Sequence, residues 1–235
     1  MDYDVIVIGG GHAGIEACLA AARLNFRTLL ITQSLDSIGR LSCNPAIGGL
    51  SKGNIVREVD ALGGEMGKLI DATMIQFRTL NKRKGPAVQA PRAQADKFSY
   101  NRLAKETLEN QANLFLFQDT VVDLLTDKKG SSVEGVITER GNRISSKAVV
   151  LTTGTFMDGK VFIGEYQASS GRLGEPAAIG LGDSLRRMGF SLGRMKTGTP
   201  ARVSSSSLNF DRMEEQPGDR VMPVSYTHLT LPTKA

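Results

Sequence analysis

The sequence predicts an α/β fold built on a parallel sheet, and three observations lead to that prediction. Residues 4–8 are expected to form a strand buried on both faces, because Val5, Ile6, Val7 and Ile8 are apolar and β-branched. Residues 15–24 are rich in alanine and helical in pattern, and residues 28–32 form a second apolar run. Together they make a βαβ unit of about thirty residues, from which parallel sheets with right-handed crossovers are built.

The next stretch is expected to be a loop, a helix and a second loop. Residues 36–53 contain several glycines and a proline and are expected to form a loop. A helix is expected from about residue 51 to residue 62, with one apolar face formed by Ile55, Val56, Val59 and Leu62. Residues 78–92, which include two prolines, are expected to form an ordered loop.

A helix and a strand meander are expected to complete the sheet. Asp96 is placed to cap a helix that runs to about residue 110, with Leu103, Ala104 and Leu108 facing inward. After a short strand at 114–118, three apolar or alternating segments predict an inserted antiparallel β-meander whose last strand returns to the main sheet (residues 120–126, 133–139 and 143–151). Residues 180–188 are expected to be helical, and the chain beyond them loop-rich.

A glycine-rich turn joins the first strand to the first helix. It matches the pattern G-x-G-x-x-G, with the residues Gly9, Gly10, Gly11, His12, Ala13 and Gly14. In such a turn the first glycine permits a sharp bend, the second lets a pyrophosphate approach the backbone, and the third lets the helix pack close to the sheet. Free N–H groups at the helix N-terminus attract the phosphates. The motif stands between a strand and a helix, so it predicts a dinucleotide site, with His12 as a helix-start residue and not a base.

Two further features concern the identity of the dinucleotide. The second strand ends in Thr32 and Gln33, where an acidic residue usually holds the ribose, and Gln33 can hydrogen-bond a hydroxyl without a charge. Residues 151–155 follow the meander and resemble the second FAD contact of flavoproteins with two dinucleotide-binding domains. This resemblance favours FAD over NAD and a Rossmann-like FAD-binding domain of the glutathione-reductase type.

Composition and charge narrow the class of protein. The chain has 235 residues, 40% of them hydrophobic, and a net charge of +5, as in many soluble enzymes. Residues 78–105 hold eight basic residues and one acid, so this segment is suited to phosphates. Two cysteines make no disulfide scaffold, the acidic start lacks the features of a signal peptide, and the apolar run at 5–8 is too short to span a membrane. We therefore expect a cytoplasmic protein with no membrane association, and no metal site is predicted.

Four long strings make the sequence resemble the MnmG/GidA family of tRNA-modifying flavoproteins, over residues 1 to about 224. They are Cys-Asn-Pro-Ala-Ile-Gly-Gly at 43–49, Arg-Thr-Leu-Asn with Lys-Gly-Pro-Ala-Val at 78–88, Arg-Ala-Gln-Ala-Asp at 92–96, and Gly-Arg-Met-Lys-Thr-Gly-Thr-Pro at 193–200. The resemblance implies an FAD-dependent enzyme that acts on C5 of the wobble uridine of tRNA. It also implies an added aminomethyl or carboxymethylaminomethyl group, an MnmE-like GTPase partner, methylenetetrahydrofolate as one-carbon donor, NADH as reductant, and a homodimer.

The resemblance also assigns roles to particular residues. It implies cofactor contacts at the glycine turn and at Asn44, Pro45, Gly48, Gly49, Val121 and Gly154. Cys43 is implied as a catalytic cysteine, and a thiolate there is expected to be favoured by Lys52, Arg40 and the glycine-rich backbone. Cys18, on the apolar side of the first helix, is interpreted as structural. Contacts to RNA or folate are expected from Lys52, Arg83, Lys84 and Arg92.

The family chain is longer, so this chain is expected to be an N-terminal fragment. We expect residues 1–200 to be an incomplete FAD-binding domain, residues 201–224 to begin an NADH-binding insertion, and residues 225–235 to be a non-native tail. Two other functions remain open. One is a folate- and FAD-dependent tRNA uracil methyltransferase, which shares the opening motif. The other is a non-catalytic flavin- or RNA-binding module.

Overall fold

The chain divides into two compact units in the computed structural model, which describes residues 2–42 and 44–220. The first unit joins Met1–Arg40 to Asn101–Gly193, and the second joins Leu41–Tyr100 to Arg194–Ala235. Residue Cys43 and the predicted tail at 225–235 lie outside the described residues. Within the described ranges, no helix combines the length and the apolar character needed to cross a membrane.

The first unit is built on the predicted mixed sheet. Six strands lie in the order β6-β2-β1-β9-β8-β7. Strands β6, β2, β1 and β9 run parallel, whereas β8 is antiparallel to both β9 and β7. The start of β9 pairs with β8 and its later part pairs with β1, which confirms a meander that returns to the main sheet. The strands are β1 (Tyr3–Ile8), β2 (Thr28–Thr32), β6 (Leu114–Gln118), β7 (Val121–Thr126), β8 (Val133–Thr138) and β9 (Arg143–Leu151).

The core of the first unit follows from strand alternation. One face of the sheet carries a buried apolar cluster made of Ile6, Ile8, Leu29, Ile31, Val121, Val136 and Leu181. Alternate residues such as Val7 and Leu30 point to the opposite face and are fully buried there. Helix α1 (His12–Arg23) packs on β1 and β2 through its own buried residues, among them Ile15 and Cys18. The predicted βαβ unit is therefore confirmed.

In the later part of the first unit, the sequence pattern predicted one helix but missed a small sheet. Helix α5 (Leu181–Arg187) confirms the helix predicted at 180–188 and packs on β7. The small antiparallel sheet of β10 (Lys160–Ile163), β11 (Tyr166–Arg172) and β12 (Glu175–Pro176) was not predicted. Its central strand is rich in serine, glycine and other polar residues, which give little strand signal.

The second unit is a three-stranded antiparallel sheet covered by helices. Its strands lie in the order β3-β5-β4, with β3 at Ala46–Gly48, β4 at Met74–Leu80 and β5 at Ala90–Ala95. Helices α2 (Lys52–Ala61) and α3 (Met66–Thr73) both contact β5. The predictions of a loop over all of 36–53 and of a loop over all of 78–92 were therefore wrong. Only residues 81–89 form the ordered loop.

Two helix predictions had different outcomes. Asp96 caps α4 (Lys97–Glu109) as predicted, since the N–H groups of Phe98 and Ser99 each donate to its Oδ1 at 3.0 Å. The predicted apolar face of α2 was right for Val56, which is buried, and wrong for Ile55 and Leu62, which are exposed. The helix also packs through Gly53, where a Cβ would lie 2.9 Å from the ring of Pro91. A glycine contact therefore sets the rotation of α2, and hydrophobic periodicity does not reveal it.

Candidate dinucleotide site and cysteine loop

The glycine turn at the carboxyl end of β1 is tightly packed at two of its positions. Gly9 has φ of 108°, and a Cβ there would lie 2.5 Å from the carbonyl oxygen of Thr152. A Cβ on Gly14 would lie 1.9 Å from the carbonyl oxygen of Gly9. The first and last glycines of the motif are thus required by the protein's own packing.

The middle glycine stands in a different environment. Apart from Gly11 and its two chain neighbours, no described protein atom lies within 4 Å of the position that a Cβ on Gly11 would take. Gly11 is also the N-cap of α1, with no side chain bonded at the cap and no acidic residue in the first turn. The helix start therefore presents N–H groups and a positive dipole end beside open space. This arrangement fits the pyrophosphate of a dinucleotide, and His12 is the first residue of the helix, as predicted.

The end of β9 is tied to this turn by one threonine. The hydroxyl of Thr152 donates to the carbonyl oxygens of Ile8 at 2.8 Å and Gly9 at 3.0 Å, and its N–H donates to Ile8 at 2.9 Å. Two residues later, Gly154 has φ of 55° and open space where a Cβ would stand. Because parallel strands end at one edge of a sheet, Gly154 follows β9 at the same edge as the glycine turn.

The next strands along this edge end in a polar cluster. The Gln33 side-chain Nε2 donates to the hydroxyl of Thr120 at 3.3 Å, which orients its amide beside the end of β2. The neighbouring Asp119 accepts from Arg140 at 2.9 Å and from the Thr120 N–H at 2.8 Å. Val121 belongs to the buried core, and its predicted contact to adenine stays a prediction.

Asp119 gives the first testable prediction. Burial acts to raise the pKa of this carboxyl, but hydrogen bonds from Thr138, Arg140 and Thr120 outweigh burial and hold the pKa below the ordinary 3.8. The ionised side chain therefore stabilises the fold above about pH 4, and this stabilisation is lost as the pH falls through the lowered pKa. We expect Asp119→Asn to lower the free energy of unfolding by about 1–3 kcal/mol at pH 7, measured by urea unfolding.

The control is a carboxylate of similar chemistry on the surface. Asp183 pairs with Arg186 at 2.6 Å, with 71% of the Asp183 side chain exposed. Asp183→Asn is expected to change the free energy of unfolding by less than about 0.5 kcal/mol. The difference between the wild type and Asp119→Asn should shrink when unfolding is repeated below pH 4. An undiminished difference there would show that the charge of Asp119 is not what stabilises the cluster.

In the second unit, the chain after Cys43 forms a strand followed by a glycine turn. Asn44 is exposed, and the Pro45 carbonyl accepts from Ala95 N–H at 2.6 Å. Gly48 and Gly49 have φ of 106° and 102°, conformations that let the chain turn from β3 towards α2. Lys52 is the exposed first residue of α2. Asn44, Pro45, Gly48, Gly49 and Lys52 thus belong to one short strand–turn–helix segment, and their predicted contacts to cofactor, RNA or folate stay predictions.

An arginine that the sequence analysis did not select contacts the residue that precedes Cys43. The Arg202 guanidinium donates to the carbonyl oxygen of Ser42 at 2.7 Å, one residue before Cys43. Arg40, which was expected to favour the thiolate, pairs with Glu175 at 2.8 Å within the first unit, and its effect on Cys43 stays a prediction. Arg202 stands two residues after the string at 193–200, so its proximity to that string was the available signal.

Cys18 and the basic loop have clear structural settings. Cys18 is fully buried, burial raises the pKa of its thiol to about 12, and its Sγ donates to the Ile15 carbonyl at 3.3 Å. Arg83 and Lys84 are exposed on the 81–89 loop, which is held by a bond of 3.0 Å from the Asn81 amide to the Val88 carbonyl. Arg92 stands apart from that loop, exposed on β5.

Comparison with known proteins decides the family. The profile of the family described as Glucose inhibited division protein A matches residues 4–235. The chain belongs to the GidA family. It is 65% identical over 229 residues to the tRNA uridine 5-carboxymethylaminomethyl modification enzyme MnmG of Borreliella burgdorferi. The aligned region covers 97% of this chain and 37% of the relative. The chain thus spans a little over a third of the length of the curated relatives it matches.

Solved structures of GidA proteins support the fold. Aquifex aeolicus GidA matches with a TM-score of 0.88 and 55% identity, covering 93% of this chain and 36% of the other. The GidA-related protein from Thermus thermophilus matches with a TM-score of 0.60 and 26% identity, covering 81% of this chain and 70% of the other. The Rossmann-like α/β architecture predicted from the sequence is therefore confirmed.

Proposed function

We propose that this GidA-family chain is the flavin-binding part of an enzyme that modifies C5 of the wobble uridine in tRNA. The observation that carries the proposal is the glycine turn, where Gly9 and Gly14 are fixed by packing while Gly11 faces open space at a helix start. Membership of the family adds the reaction class, since the relative from Borreliella burgdorferi is named as a tRNA uridine 5-carboxymethylaminomethyl modification enzyme.

In this proposal the first unit holds the cofactor. The N–H groups at the start of α1 bind the pyrophosphate of FAD, and the absent side chain of Gly11 leaves room for it. The Gln33 amide, oriented by Thr120, leaves its oxygen to accept from a ribose hydroxyl. FAD held there would supply electron transfer between NADH and the one-carbon unit that methylenetetrahydrofolate donates.

The second unit supplies the cysteine and the basic residues. The thiolate of Cys43 adds to C6 of the uracil, and the electron pair of the C5–C6 double bond moves towards C5, which becomes nucleophilic. C5 then bonds to the one-carbon unit as that unit leaves the folate nitrogen, and loss of the C5 proton expels the thiolate from C6 and restores the C5–C6 double bond. Lys52, Arg83, Lys84 and Arg92 bind RNA or folate. The complete enzyme works in the cytoplasm as a homodimer with an MnmE-like GTPase.

Flavin binding by this chain tests the cofactor part directly. The purified protein is mixed with excess FAD, passed through a desalting column and examined for a visible flavin spectrum. We expect about one flavin to stay with each chain, because the glycine turn and the Thr152 contact are both present in the first unit. Protein that emerges colourless would contradict a flavin site in this chain.

A further inference from the structure

The sheet of the second unit has one apolar face and one basic face. Register places Phe77, Ala93 and Ile47 side by side, and all three are buried. Because side chains alternate along a strand, the next residue of each strand points to the opposite face. There Arg78 of β4 lies directly opposite Arg92 of β5, which in turn lies opposite Gly48 of β3.

This arginine pair is unfavourable for the sheet by itself. Like charges directly opposite each other on neighbouring strands repel and destabilise the pairing. The strand residues that share this face bring no carboxylate to it: Ala46, Gly48, Gln76, Leu80, Ala90 and Gln94. Among residues 2–42 and 44–220, neither arginine forms an ion pair with an acidic side chain. Gly48, which lies opposite Arg92 on β3, adds no side chain to this face.

The segment at 216–219 orients one of the two arginines without neutralising it. The Arg78 guanidinium donates to the side-chain oxygen of Gln216, a neutral acceptor. The main-chain carbonyl of Gln216 accepts from the Gln76 amide at 3.2 Å, which fixes Gln216 against β4. A planar guanidinium held by a neutral partner keeps its full positive charge and its remaining donors.

The carboxylate of the same segment is directed elsewhere. Asp219 binds Lys82 at 2.6 Å and accepts from the N–H of Thr79 at 3.0 Å, while its own N–H donates to the Phe77 carbonyl at 2.8 Å. The acid therefore pairs with a loop lysine at the edge of β4 and leaves the arginine pair charged.

We infer that Arg78 and Arg92 form a clamp for one phosphate of an RNA backbone. Two opposed guanidinium forks match the oxygens of a phosphodiester, and binding an anion between them removes their mutual repulsion. An RNA fits this surface better than a free anion, because the exposed cations Arg83 and Lys84 lie on the loop that joins the two strands and can meet neighbouring phosphates. The inference rests on the proposed tRNA substrate and adds Arg78, with Gln216 as its positioning residue.

The experiment measures RNA binding by this chain and three variants over a range of salt concentrations. The probe is a fluorescein-labelled anticodon stem–loop RNA, followed by fluorescence anisotropy. The variants are Arg78→Gln, Arg92→Gln and the double change. The matched control is Arg57→Gln, which removes the same charge from the exposed side of α2 in the same unit.

We expect each single change to weaken binding by about 10- to 100-fold, as for the loss of hydrogen bonds to a charged group. The slope of log affinity against log salt should fall by about one, the share of one phosphate. In the clamp both guanidinium groups hold the same phosphate, so the double variant should bind RNA only slightly more weakly than either single variant. Without RNA, the melting temperature of Arg92→Gln should be no lower than that of the wild type, because the change removes the repulsion between Arg78 and Arg92.

Three results would overturn the clamp. Losses that multiply in the double variant would show that the arginines bind separate sites. Variants that bind RNA as well as Arg57→Gln does would show that the face is unused while the proposed tRNA substrate stands. A wild-type chain that binds FAD but no RNA would remove the clamp together with the RNA-binding role of this unit, and leave the flavin proposal intact.

Discussion

Changing Gly11 to alanine is expected to lower the affinity for FAD about 100-fold and to leave the protein fully folded. The backbone of Gly11, with φ of −76° and ψ of −177°, is one that alanine adopts without strain. Apart from its chain neighbours, a Cβ there meets no described protein atom within 4 Å, so the methyl group causes no clash in the folded protein. The added methyl group instead occupies the space into which we propose that the pyrophosphate enters, at a cost of about 3 kcal/mol.

The matched variant is Gly14→Ala, which adds the same methyl group three residues later. Its Cβ would lie 1.9 Å from the Gly9 carbonyl oxygen and 2.9 Å from the Thr152 hydroxyl, so the turn and α1 must move apart. We expect the free energy of unfolding to fall by about 2–3 kcal/mol, even after the better helix propensity of alanine is allowed for. Gly11→Ala should instead change it by less than about 1 kcal/mol, because the lower freedom of the unfolded chain offsets the poorer N-cap preference of alanine.

Urea unfolding and FAD titration, carried out on both variants, separate packing from ligand binding. The expected pattern is a stable Gly11→Ala protein that binds FAD poorly and a destabilised Gly14→Ala protein. If Gly11→Ala binds FAD as the wild type does, the pyrophosphate does not approach this glycine. The proposed position of the cofactor would then be wrong, whatever the result for Gly14→Ala.

The sequence reveals the first unit better than the second for a physical reason. Strands such as β1 and β2 are buried on both faces, and such strands show as continuous apolar runs. Strand β5, at Ala90–Ala95, begins with alanine and proline and carries an exposed arginine, so no run or alternation marks it. Its strand conformation comes from pairing with β3 and β4, an interaction between distant residues that a local pattern does not show.

The sequence likewise predicted only one part of the candidate site. The glycine turn was predictable because each glycine has a local backbone reason for its place, and the reasons differ between Gly11 and Gly14. The partners of the site were not predictable, because they come from distant parts of the chain. Thr152 reaches Gly9 across 143 residues, and Arg202 reaches Ser42 across 160. Arg40 likewise pairs with Glu175, 135 residues away, a partner that its proximity in sequence to Cys43 did not reveal.

Changing Cys43 to serine is expected to abolish modification of the wobble uridine. A serine hydroxyl stays protonated near neutral pH and is a poor nucleophile towards C6, so we expect activity to fall about 10³-fold or more. The measurement is the content of the modified nucleoside in digests of tRNA, from cells whose only copy of the complete enzyme carries the change. Unchanged nucleoside levels would remove Cys43 from the proposed chemistry.

Two further variants show whether loss of the modified nucleoside depends on Cys43 and its surroundings, and not on thiols in general. Cys18→Ala should keep the modified nucleoside, because the Cys18 thiol is buried with a pKa of about 12 and forms no thiolate near neutral pH.

Arg202→Gln removes a cation that binds the Ser42 carbonyl at 2.7 Å. We expect it to slow alkylation of Cys43 by iodoacetamide about 3- to 10-fold in this chain, because a nearby positive charge favours the thiolate. An alkylation rate unaffected by Arg202→Gln would show that this guanidinium holds the loop without acting on the sulfur.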